Sequence, residues 1–503
     1  MPNVRLYNFA PGEPEYDGLE VFADGERVPL YGARVSKYPI NRRWPGFQRP
    51  KDQTEIASFA LLGATGAFEL KVKTEKEINN VTVRPLSKSV KAQWENGEIR
   101  LTVPGAGFYT VEINDRHEAL HLFVDSGIDR AEKPVEGDVI YFGPGQHDVG
   151  YIELKENQTL YIDEGAVVYA RVFAVDANGI KILGRGILDG SRNVETILRP
   201  VGEKEIAERN KGFAVSNAVR THTVQIEYCD NVLIDGITIR DSLVYNIRPV
   251  GCRGLTVKNV KIIGNWRYNS DGIDMHNCED VLISNCFIRT YDDSICIKGF
   301  DYTQNEADML HNGVMYDVFR NVLVEKCVIW CDWGRALEIG AETRAREICD
   351  IVFRDCDVIR DMGGVVCDVQ NVDYADVHHV TFEDIRAEYD DVCQPPIMQK
   401  TEEDVFEDLT ECEYMPALFG SHVLYIEEYS GNGAKRGKNR CITFKNIRVT
   451  APRMPESHFT GYDAESRSEN IVVEGLWLNG EKLTRREDAK LRSNEYCGEI
   501  SFS

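Results

Sequence analysis

The chain has 503 residues and a formal net charge of −24 at pH 7, from 82 acidic and 58 basic residues. This charge argues against a nucleic-acid-binding protein, which needs a basic surface, and against long-range attraction to anionic lipid. Charged residues at 28% and apolar residues at 43% are typical of an ordinary globular chain. No apolar stretch approaches the roughly 18 residues of a membrane helix. We therefore expect no nucleic-acid and no membrane partner.

Residues 1–125 are predicted to form a small antiparallel β-sandwich. Asp24-Gly25 and Asn96-Gly97 each lie between short β-like segments, and such dipeptides favour the tight turns of hairpins. The segments 67–72 and 108–113 alternate apolar and polar residues with period two, as half-buried strands do. Residues 126–137 are polar and contain Gly and Pro, which predicts a linker. A second domain is predicted over residues 138–503.

This second region repeats an eight-residue phrase with apolar residues at its first and third positions and often at its sixth. Most neighbouring copies start 23 to 29 residues apart, and the longer intervals fit two periods or one period with an insertion. A repeat of this length with β patterning predicts an all-β parallel β-helix, whereas a β-propeller needs blades of about 40–45 residues. The copies begin at Ile180, Val232, Leu255, Val281, Val322, Ile351, Val380, Ile442 and Ile471.

The 14 cysteines favour reduced thiols. None precedes Cys229, no CxxC pair occurs, and Cys286, Cys327 and Cys356 share one position of the repeat, which predicts buried thiols in a core. The chain also begins without the apolar run of a signal peptide, so we expect a cytoplasmic protein. The histidines lack HxH or HExxH spacing, so neither a metal site nor a cofactor is predicted.

The chemistry is predicted where two acidic motifs lie about one coil apart. Asp271 and Asp292 are separated by 21 residues, and residues one coil apart in a β-helix lie about 4.8 Å apart. Asp271, Asp292 and Asp293 should therefore converge, with Asp274 close by. Crowded carboxylates repel, so one should keep its proton at neutral pH. A protonated acid beside ionised bases is what glycosidic hydrolysis requires, and a solvated acidic patch is the alternative.

These motifs resemble the polygalacturonase family, glycoside hydrolase family 28, whose clan includes the family 49 dextranases. The resemblance covers roughly residues 138–480 and implies a right-handed parallel β-helix, and a β-sandwich before the helix is similar to the dextranase branch. It implies that Asp292 is the general acid, that Asp271 and Asp293 activate the water, and that the anomeric centre is inverted without a metal. It rests on residues 157–167, GRGILDG (184–190), NSDGID (269–274) and DDSICIKG (292–299).

The sequence departs from this family at two places. Polygalacturonases place Gly-His-Gly one coil further on, and the matching phrase here has Arg335 in the place of the histidine. They also hold the galacturonate carboxylate with Arg-Ile-Lys, whose best match is Val366-Cys367-Asp368. An aspartate there would repel a uronate, which favours a neutral, α-linked gluco-type oligosaccharide. Arg335 could bind a carboxylate or pair with Glu338 or an aspartate.

Several other side chains near these motifs are predicted to bind substrate. Lys298 could contact the sugar or neutralise the acidic cluster. Tryptophans can stack on the apolar faces of sugar rings, although core packing is the alternative for each of them, Trp330 included. Glu342 could bind a hydroxyl group, and His276 is expected to be structural. The predicted substrate-binding residues are Asn269, Asp274, Lys298, Arg335, Glu338, Trp266 and Trp333.

Three other functions stay open from the sequence. They are a polygalacturonase acting on galacturonides, a β-helix lyase or fructan transferase, and a sugar-binding β-helix without activity. Residues 300–316 and 387–440 look like insertions, and such loops usually wall a cleft or contact another subunit. An uncapped last coil could drive self-association, so a homo-oligomer is also open.

Overall fold

The computed structural model of the chain describes residues 3–38, 40–42, 53–127, 134, 136–192, 222–300, 309–390, 397–399, 414–427, 429–431 and 435–503. These ranges include a short 3₁₀ turn, Leu86–Lys88. No helix in the described part of the chain is long and apolar enough to cross a membrane.

The N-terminal residues form two sheets that pack as a sandwich. In chain order the strands of this region are β1 (Val4–Leu6), β2 (Glu20–Ala23), β3 (Glu26–Val28), β4 (Tyr31–Ser36), β5 (Ile40–Arg42), β6 (Thr54–Ala64), β7 (Phe68–Lys73), β8 (Val81–Arg84), β9 (Ala92–Glu95), β10 (Glu98–Val103), β11 (Gly107–Ile113) and β12 (Leu120–Ser126). All of them except β5 belong to the two sheets. One sheet has the order β1-β6-β12-β11-β8 with β4 beside β6, and the other has the order β3-β2-β7-β10-β9. All pairs are antiparallel except β6 with β12, which run parallel.

Both predicted hairpins are confirmed. Strands β2 and β3 join at Asp24 and Gly25, and β9 and β10 join at Asn96 and Gly97. All four turn residues have positive φ, between 46° and 86°. Asn, Asp and Gly tolerate this left-handed conformation, which explains their choice at these turns.

After β12, the described residues form a right-handed parallel β-helix, as predicted. Its strands are arranged in three sheets. The first sheet holds β13 (Val139–Phe142), β15 (Thr159–Ile162), β17 (Lys181–Gly184), β20 (Asp230–Asp235), β23 (Arg253–Lys258), β26 (Glu279–Ser284), β31 (Val318–Glu325), β34 (Glu347–Arg354), β37 (Asp376–Glu383), β41 (Lys438–Thr450), β43 (Ser468–Leu478) and β46 (Ile500–Phe502). The second sheet holds β14 (Gly145–Glu153), β16 (Ala166–Val175), β18 (Ile187–Asp189), β21 (Thr238–Arg240), β24 (Lys261–Ile263), β27 (Phe287–Thr290), β32 (Val328–Cys331), β35 (Asp357–Asp361) and β38 (Arg386–Glu388).

The third sheet carries the strands that follow the candidate site motifs. It holds β19 (Val224–Glu227), β22 (Ile247–Val250), β25 (Ile273–His276), β28 (Ile295–Lys298), β33 (Leu337–Ile339), β36 (Val365–Asn371), β40 (Ala417–Val423), β42 (Ser457–Thr460) and β45 (Leu491–Ser493). Four short strands lie outside the three sheets or at their margin, namely β29 (Leu310–His311), β30 (Val314–Met315), β39 (Ile397–Gln399) and β44 (Glu481–Lys482).

The repeated phrase forms the first sheet and the bend after it. Its first residues stack in register, since Val281 pairs with Leu255 on one side and with Val322 on the other. The bend holds Asn285 and its equivalents at φ near +50°, which asparagine and aspartate tolerate. Cys286, Cys327 and Cys356 follow these bends, and all three are fully buried and free. The predicted thiol core is confirmed, and all twelve cysteines that the structure describes are free.

The N-terminal sandwich covers the outer face of the second sheet. Phe287 and Trp330 point out of the helix and are buried against the sandwich. The Phe123 and Phe287 ring centroids lie 4.8 Å apart. Buried ion pairs surround this contact, including Lys261 Nζ with Asp125 Oδ1 at 2.6 Å. The sandwich therefore completes the hydrophobic packing of the helix domain.

The predicted linker and insertions are only partly described. Strand β12 ends at Ser126 and β13 begins at Val139, and residues 128–133 and 135 between them lie outside the described ranges. In the first insertion, β29 and β30 form a hairpin, and residues 301–308 lie outside the description. In the second, β39 pairs in parallel with β5, which ties the insertion to the N-terminal domain. Residues 391–396, 400–413, 428 and 432–434 lie outside the described part.

Substituting Phe287 by alanine should destabilise the chain by about 3–5 kcal/mol, the usual cost of truncating a buried aromatic side chain. The free energy of unfolding from urea titration measures this loss. Trp94, which is 39% exposed on the edge strand β9, provides the control. Its replacement by alanine should change that free energy by no more than about 0.5 kcal/mol. Equal losses for both variants would contradict the packing of the sandwich on the second sheet.

Candidate active site

The acidic motifs lie in the turns that lead from the second sheet into the third. The register pairs Ile273 with Ile295 and Ile295 with Leu337. Two residues before these positions, Asp271, Asp293 and Arg335 therefore occupy equivalent places on three successive coils. Backbone bonds hold this stack, since Gly272 N donates to Asp293 O at 2.8 Å and Ser294 N donates to Arg335 O at 2.8 Å.

This register corrects the predicted pairing by one residue. The spacing of 21 residues suggested that Asp271 stacks on Asp292, but the coil length here is 22 residues, so Asp293 is the stacked partner. Asp292 precedes it, and Asp292 Oδ1 accepts the Asp293 backbone N–H at 3.1 Å. The expectation that the three carboxylates converge holds, because one oxygen of each lies within 4.8 Å of one oxygen of the other two.

The next coil packs tightly against this pair. A Cβ atom on Gly334 would lie 2.4 Å from Asp293 N, so only glycine allows the two turns to approach this closely. Directly after it, the Arg335 backbone N–H donates to Asp293 Oδ1 at 2.9 Å. The position of the Asp293 carboxylate is therefore set by backbone groups of the following turn.

Lys298 supplies the positive charge of the cluster. Its Nζ lies 2.8 Å from Asp274 Oδ2, 3.4 Å from Glu342 Oε2, 3.7 Å from Asp271 Oδ2 and 4.0 Å from Asp293 Oδ2. The lysine is 4% exposed, so solvent screens these interactions little. Lys298 was predicted either to contact the sugar or to neutralise the acidic cluster. These distances show that its ammonium group lies among the acids, where it neutralises part of their charge.

Burial and mutual repulsion shift the titration of these acids. Burial, followed by the charge of Asp293, raises the pKa of Asp292 to about 8. Burial also raises the pKa of Asp271 well above its ordinary value, with Asp274 and Asp292 adding to the effect. The pKa of Asp274 rises to about 6 through burial, although Lys298 opposes the rise. Asp292 is therefore mainly protonated at neutral pH and can donate a proton.

The clustered carboxylate oxygens are also close enough together to bind a metal ion. The nearest oxygens of Asp271, Asp292 and Asp293 are close enough to share one metal ion, and Asp293, Cys296 and Glu338 form a second such group. The ammonium of Lys298 already lies within 4.0 Å of two of these aspartates. It supplies locally the positive charge that a metal ion would otherwise bring.

The Arg335 side chain forms ion pairs with acidic side chains of its own coil and of the next coil. Its Nε lies 2.9 Å from Asp368 Oδ2 and 3.5 Å from Glu338 Oε1, and one terminal nitrogen donates to Gln370 Oε1 at 3.1 Å. The arginine side chain is 31% exposed, whereas Glu338 and Asp368 are buried. The structure thus places Arg335 in the pairing that was one of its two predicted roles.

The alignment of the cationic motif also needs correction. Val366 and Cys367 belong to the hydrophobic core, so neither can face a ligand. Asp368 and Gln370 point outward and flank the buried Val369, which is the alternation that an Arg-Ile-Lys motif requires. Neither Asp368 nor Gln370 is a cationic side chain, so the pair still lacks the positive charges of Arg-Ile-Lys.

Of the three tryptophans considered from the sequence, Trp333 is half-buried, whereas Trp266 and Trp330 are buried. Trp333 stacks on Tyr291, with ring centroids 6.1 Å apart. Trp266 is 7% exposed and its indole N–H donates to Asp241 Oδ1 at 3.1 Å, so it presents no open stacking face. Trp330 lies under the sandwich. Asn269 is half-buried in the turn before Asp271, with φ at +54°.

The family model of glycosyl hydrolases family 28 matches residues 146–406, just over half of the chain. The chain belongs to glycosyl hydrolases family 28. The sequence-based assignment to this family is confirmed.

Curated relatives match this family 28 protein over limited segments. A polygalacturonase of Brassica napus is 26% identical over 190 residues, which are 36% of this chain and 38% of that protein. A polygalacturonase of Gossypium barbadense is 31% identical over 138 residues, 27% of this chain and 30% of that protein. The matched segments thus span less than two fifths of either relative. In fold, the chain is similar to Dex49A from Penicillium minioluteum, with a TM-score of 0.62, 13% identity and coverage of 100% and 97%.

Two tyrosines at the family 28 site escaped the sequence analysis. Tyr245 lies one coil before Asp271, and its ring centroid is 5.2 Å from Lys298 Nζ. Counting one coil back from Asp271 would have found it. Tyr429 follows β40, and the charges of Glu342, Lys298 and Asp292 all act on its hydroxyl group, whose pKa is raised mainly by burial. Because Tyr429 lies within the second predicted insertion, residues 387–440, the repeat gave no phase for it.

Replacing Asp292 by asparagine should stabilise the folded protein at neutral and alkaline pH. A carboxyl group whose pKa rises from 3.8 to about 8 on folding costs stability increasingly as pH rises from about 4 to about 8. The amide carries no such cost, so the gain at pH 8 should be on the order of 1–3 kcal/mol and should vanish near pH 4. Melting curves of both proteins across this pH range measure it. A gain independent of pH would contradict the raised pKa.

Proposed function

We propose that this glycoside hydrolase cleaves a neutral, α-linked gluco-type oligosaccharide and inverts the anomeric centre. The observation that carries the proposal is the buried group of Asp271, Asp292 and Asp293 beside Lys298. Asp292 is held protonated near neutral pH, and one oxygen of Asp271 and one of Asp293 lie within 4.8 Å of one of its oxygens. Glycosidic cleavage needs such an acid and base pair.

Asp292 is assigned the role of general acid. Its raised pKa suits transfer of a proton to the leaving oxygen at neutral pH. Asp271 and Asp293 are assigned to the water. Lys298 and the Arg335 backbone N–H hold Asp293, and Lys298 also approaches Asp271. The negative cluster would stabilise the positive charge that develops on the sugar ring in the transition state.

The stereochemical outcome, inversion of the anomeric centre, is a separate part of this proposal. Inverting enzymes usually separate their carboxyl groups by about 6.5–9.5 Å to admit water, whereas retaining enzymes separate them by about 5–5.5 Å. The nearest oxygens here lie within 4.8 Å, which is shorter than the inverting range. The support for inversion is therefore the family resemblance, and the anomeric form of the first product, read by proton NMR, decides it.

A neutral substrate is supported by the environment of Arg335. Two buried acids, Glu338 and Asp368, lie within 3.5 Å of its Nε, so its charge is compensated inside the protein. A uronate bound there would have to compete with Asp368 and would lie close to both acids. Repulsion between like charges in a buried site costs several kcal/mol. Hydroxyl groups of a neutral sugar carry no such cost.

Galacturonides are the main alternative, because both curated relatives carry the name polygalacturonase. A lyase or fructan transferase would differ in products, giving unsaturated or transferred sugars instead of free reducing sugar. A binding protein without activity is disfavoured by the three crowded acids, which binding alone does not need. The free, buried cysteines support a cytoplasmic location.

The wild type should release reducing sugar from a neutral oligosaccharide, and Asp292→Asn should lower kcat by about 100-fold or more because the proton donor is lost. A panel of α-glucans, fructans, galactosides and galacturonides, analysed by mass spectrometry, measures this. The kcat/KM of the wild type should fall as pH rises above about 8, where Asp292 ionises.

Asp361→Asn is the matched control for this loss. Asp361 is also buried, and its pKa is raised to about 7 by burial, but its carboxylate accepts the N–H groups of Gly363 and Gly364. This variant should keep kcat within about tenfold of the wild type. Cleavage of galacturonides alone would overturn the neutral substrate, and equal activity of Asp292→Asn and wild type would overturn the assignment of the acid.

Removing one of the acids beside Arg335 should admit an anionic sugar. In Asp368→Asn, the guanidinium keeps a hydrogen-bond partner and loses one compensating charge, so affinity for a galacturonate oligomer should rise by about tenfold or more. Calorimetric titration of the wild type and the variant with galacturonate and neutral oligomers measures this. The control is Asp357→Asn. Asp357 Oδ1 lies 2.5 Å from Arg386 Nε, and this ion pair is not part of the group around Arg335. Unchanged galacturonate affinity in Asp368→Asn would contradict charge compensation.

A further inference from the structure

We propose that Glu347, Cys349 and His378 form a binding site for a divalent transition metal, best suited to Zn²⁺. One donor atom of each residue lies within 4.8 Å of one donor atom of the other two. The group lies on the first sheet, whereas the catalytic carboxylates lie in the turns before the third sheet. It plays no part in the proposed hydrolysis, so each proposal can fail without the other.

The backbone of two neighbouring coils fixes this group. Glu347 and Cys349 are alternate residues of β34 and project from the same face. In the parallel register, Cys349 pairs directly with His378 of β37. Paired residues on neighbouring parallel strands lie about 4.8 Å apart, and side chains at that spacing can converge on one ion. The ligands are therefore positioned before any metal binds.

The side chains already contact one another. His378 Nε2 lies 2.8 Å from Glu347 Oε1, and His378 Nδ1 lies 2.7 Å from His379 Nδ1. Cys349 is 4% exposed and His378 is 7% exposed, whereas His379 and Asp350 at the outer edge are largely open to solvent. Two ligands, Cys349 and His378, are buried, and the side chain of Glu347 is 33% exposed. This leaves one side open, which suits a tetrahedral ion that completes its coordination with water or an outer side chain.

The chemical types of the three donor atoms determine which metal ion fits this site best. A thiolate, an imidazole and a carboxylate are ligands that Zn²⁺ accepts together, whereas Mg²⁺ and Ca²⁺ prefer oxygen ligands alone. Because the site includes sulfur and nitrogen, a borderline transition metal fits it best.

The neighbouring cations do not oppose a metal ion strongly. Arg320 and Arg440 occupy the coil positions on either side of Cys349 and His378. Arg320 is paired with Glu279 at 2.8 Å and Arg440 with Asp376 at 2.9 Å. Their charges are thus compensated by acids outside the site, and Glu347 and Asp350 add negative charge beside it.

No metal site was predicted from the sequence, because the histidines lack short spacings such as HxH. The ligands proposed here come from two coils, and Cys349 and His378 are 29 residues apart. A bound ion would link β34 to β37 across the surface of the helix. Its expected effect is on stability, since anything that binds only the folded state stabilises it by mass action.

The test uses the full-length chain, stripped of metal with EDTA and then titrated with Zn²⁺ and, separately, with Co²⁺. We expect one equivalent of Zn²⁺ to bind by calorimetry and to raise the melting temperature by several degrees. Co²⁺ should give a sulfur-to-metal charge-transfer band together with the intense visible absorption of tetrahedral cobalt. Cys349→Ser should abolish the charge-transfer band, and Glu347→Gln and His378→Asn should each weaken Zn²⁺ binding by about tenfold or more.

Cys441→Ser is the matched control, because Cys441 is a free, partly exposed cysteine of the next coil, on β41. This variant should keep both the charge-transfer band and the affinity for Zn²⁺. The proposal is overturned if the wild type binds no Zn²⁺, if Co²⁺ gives no charge-transfer band, or if the band survives in Cys349→Ser. Binding that all three ligand variants retain would show an adventitious surface site and would equally overturn it.

Discussion

A single buried ammonium group holds the candidate active site together. Lys298 Nζ lies within 4.0 Å of the carboxylates of Asp271, Asp274, Asp293 and Glu342. Without a cation, so many acids could not share a buried volume, because each ionised carboxylate would raise the cost of the next. With one cation among them, part of the group stays ionised while Asp292 keeps its proton near neutral pH. The division of roles between acid and base thus follows from the presence of one positive charge among several buried carboxylates.

That arrangement requires a scaffold that fixes neighbouring turns closely, which the parallel β-helix provides. Each coil repeats the last with a shift of one strand spacing, so equivalent turn residues stack whatever their identity. The close approach at Gly334 and the Arg335 backbone N–H then set the Asp293 carboxylate. The N-terminal sandwich contributes indirectly by burying Phe287 and Trp330 on the second sheet, the sheet that leads into these turns.

Much of this could be predicted from the sequence because the repeat has a fixed phase. The apolar phrase identified the first sheet, and the spacing of the acidic motifs brought Asp271, Asp292 and Asp293 together. The errors have physical causes. A period of 22 rather than 21 moved the stacked partner from Asp292 to Asp293, because turns differ in length while strands keep register.

The other misjudged residues depended on the direction of a side chain or on an insertion. Trp266 lies near the site in sequence, but its side chain is buried against Asp241. Val366 is a core residue, so the ligand-facing pair lies two positions further on, at Asp368 and Gln370. Tyr429 lies within the second predicted insertion, where the repeated phrase does not occur, so no phase could be assigned to it. Its neighbours could be known only from the fold.

In the alignment inferred from the sequence, Arg335 stands in the place of the family's histidine, and this difference bears on the substrate more than on catalysis. The contact of residue 335 with the catalytic group is made by its backbone N–H, and any residue except proline can donate it. The glycine before it, which the close packing demands, is retained. The side chain instead turns to Glu338 and Asp368. The acids proposed to cleave the bond and the groups proposed to select the sugar therefore lie on different coils, so one can change while the other is kept.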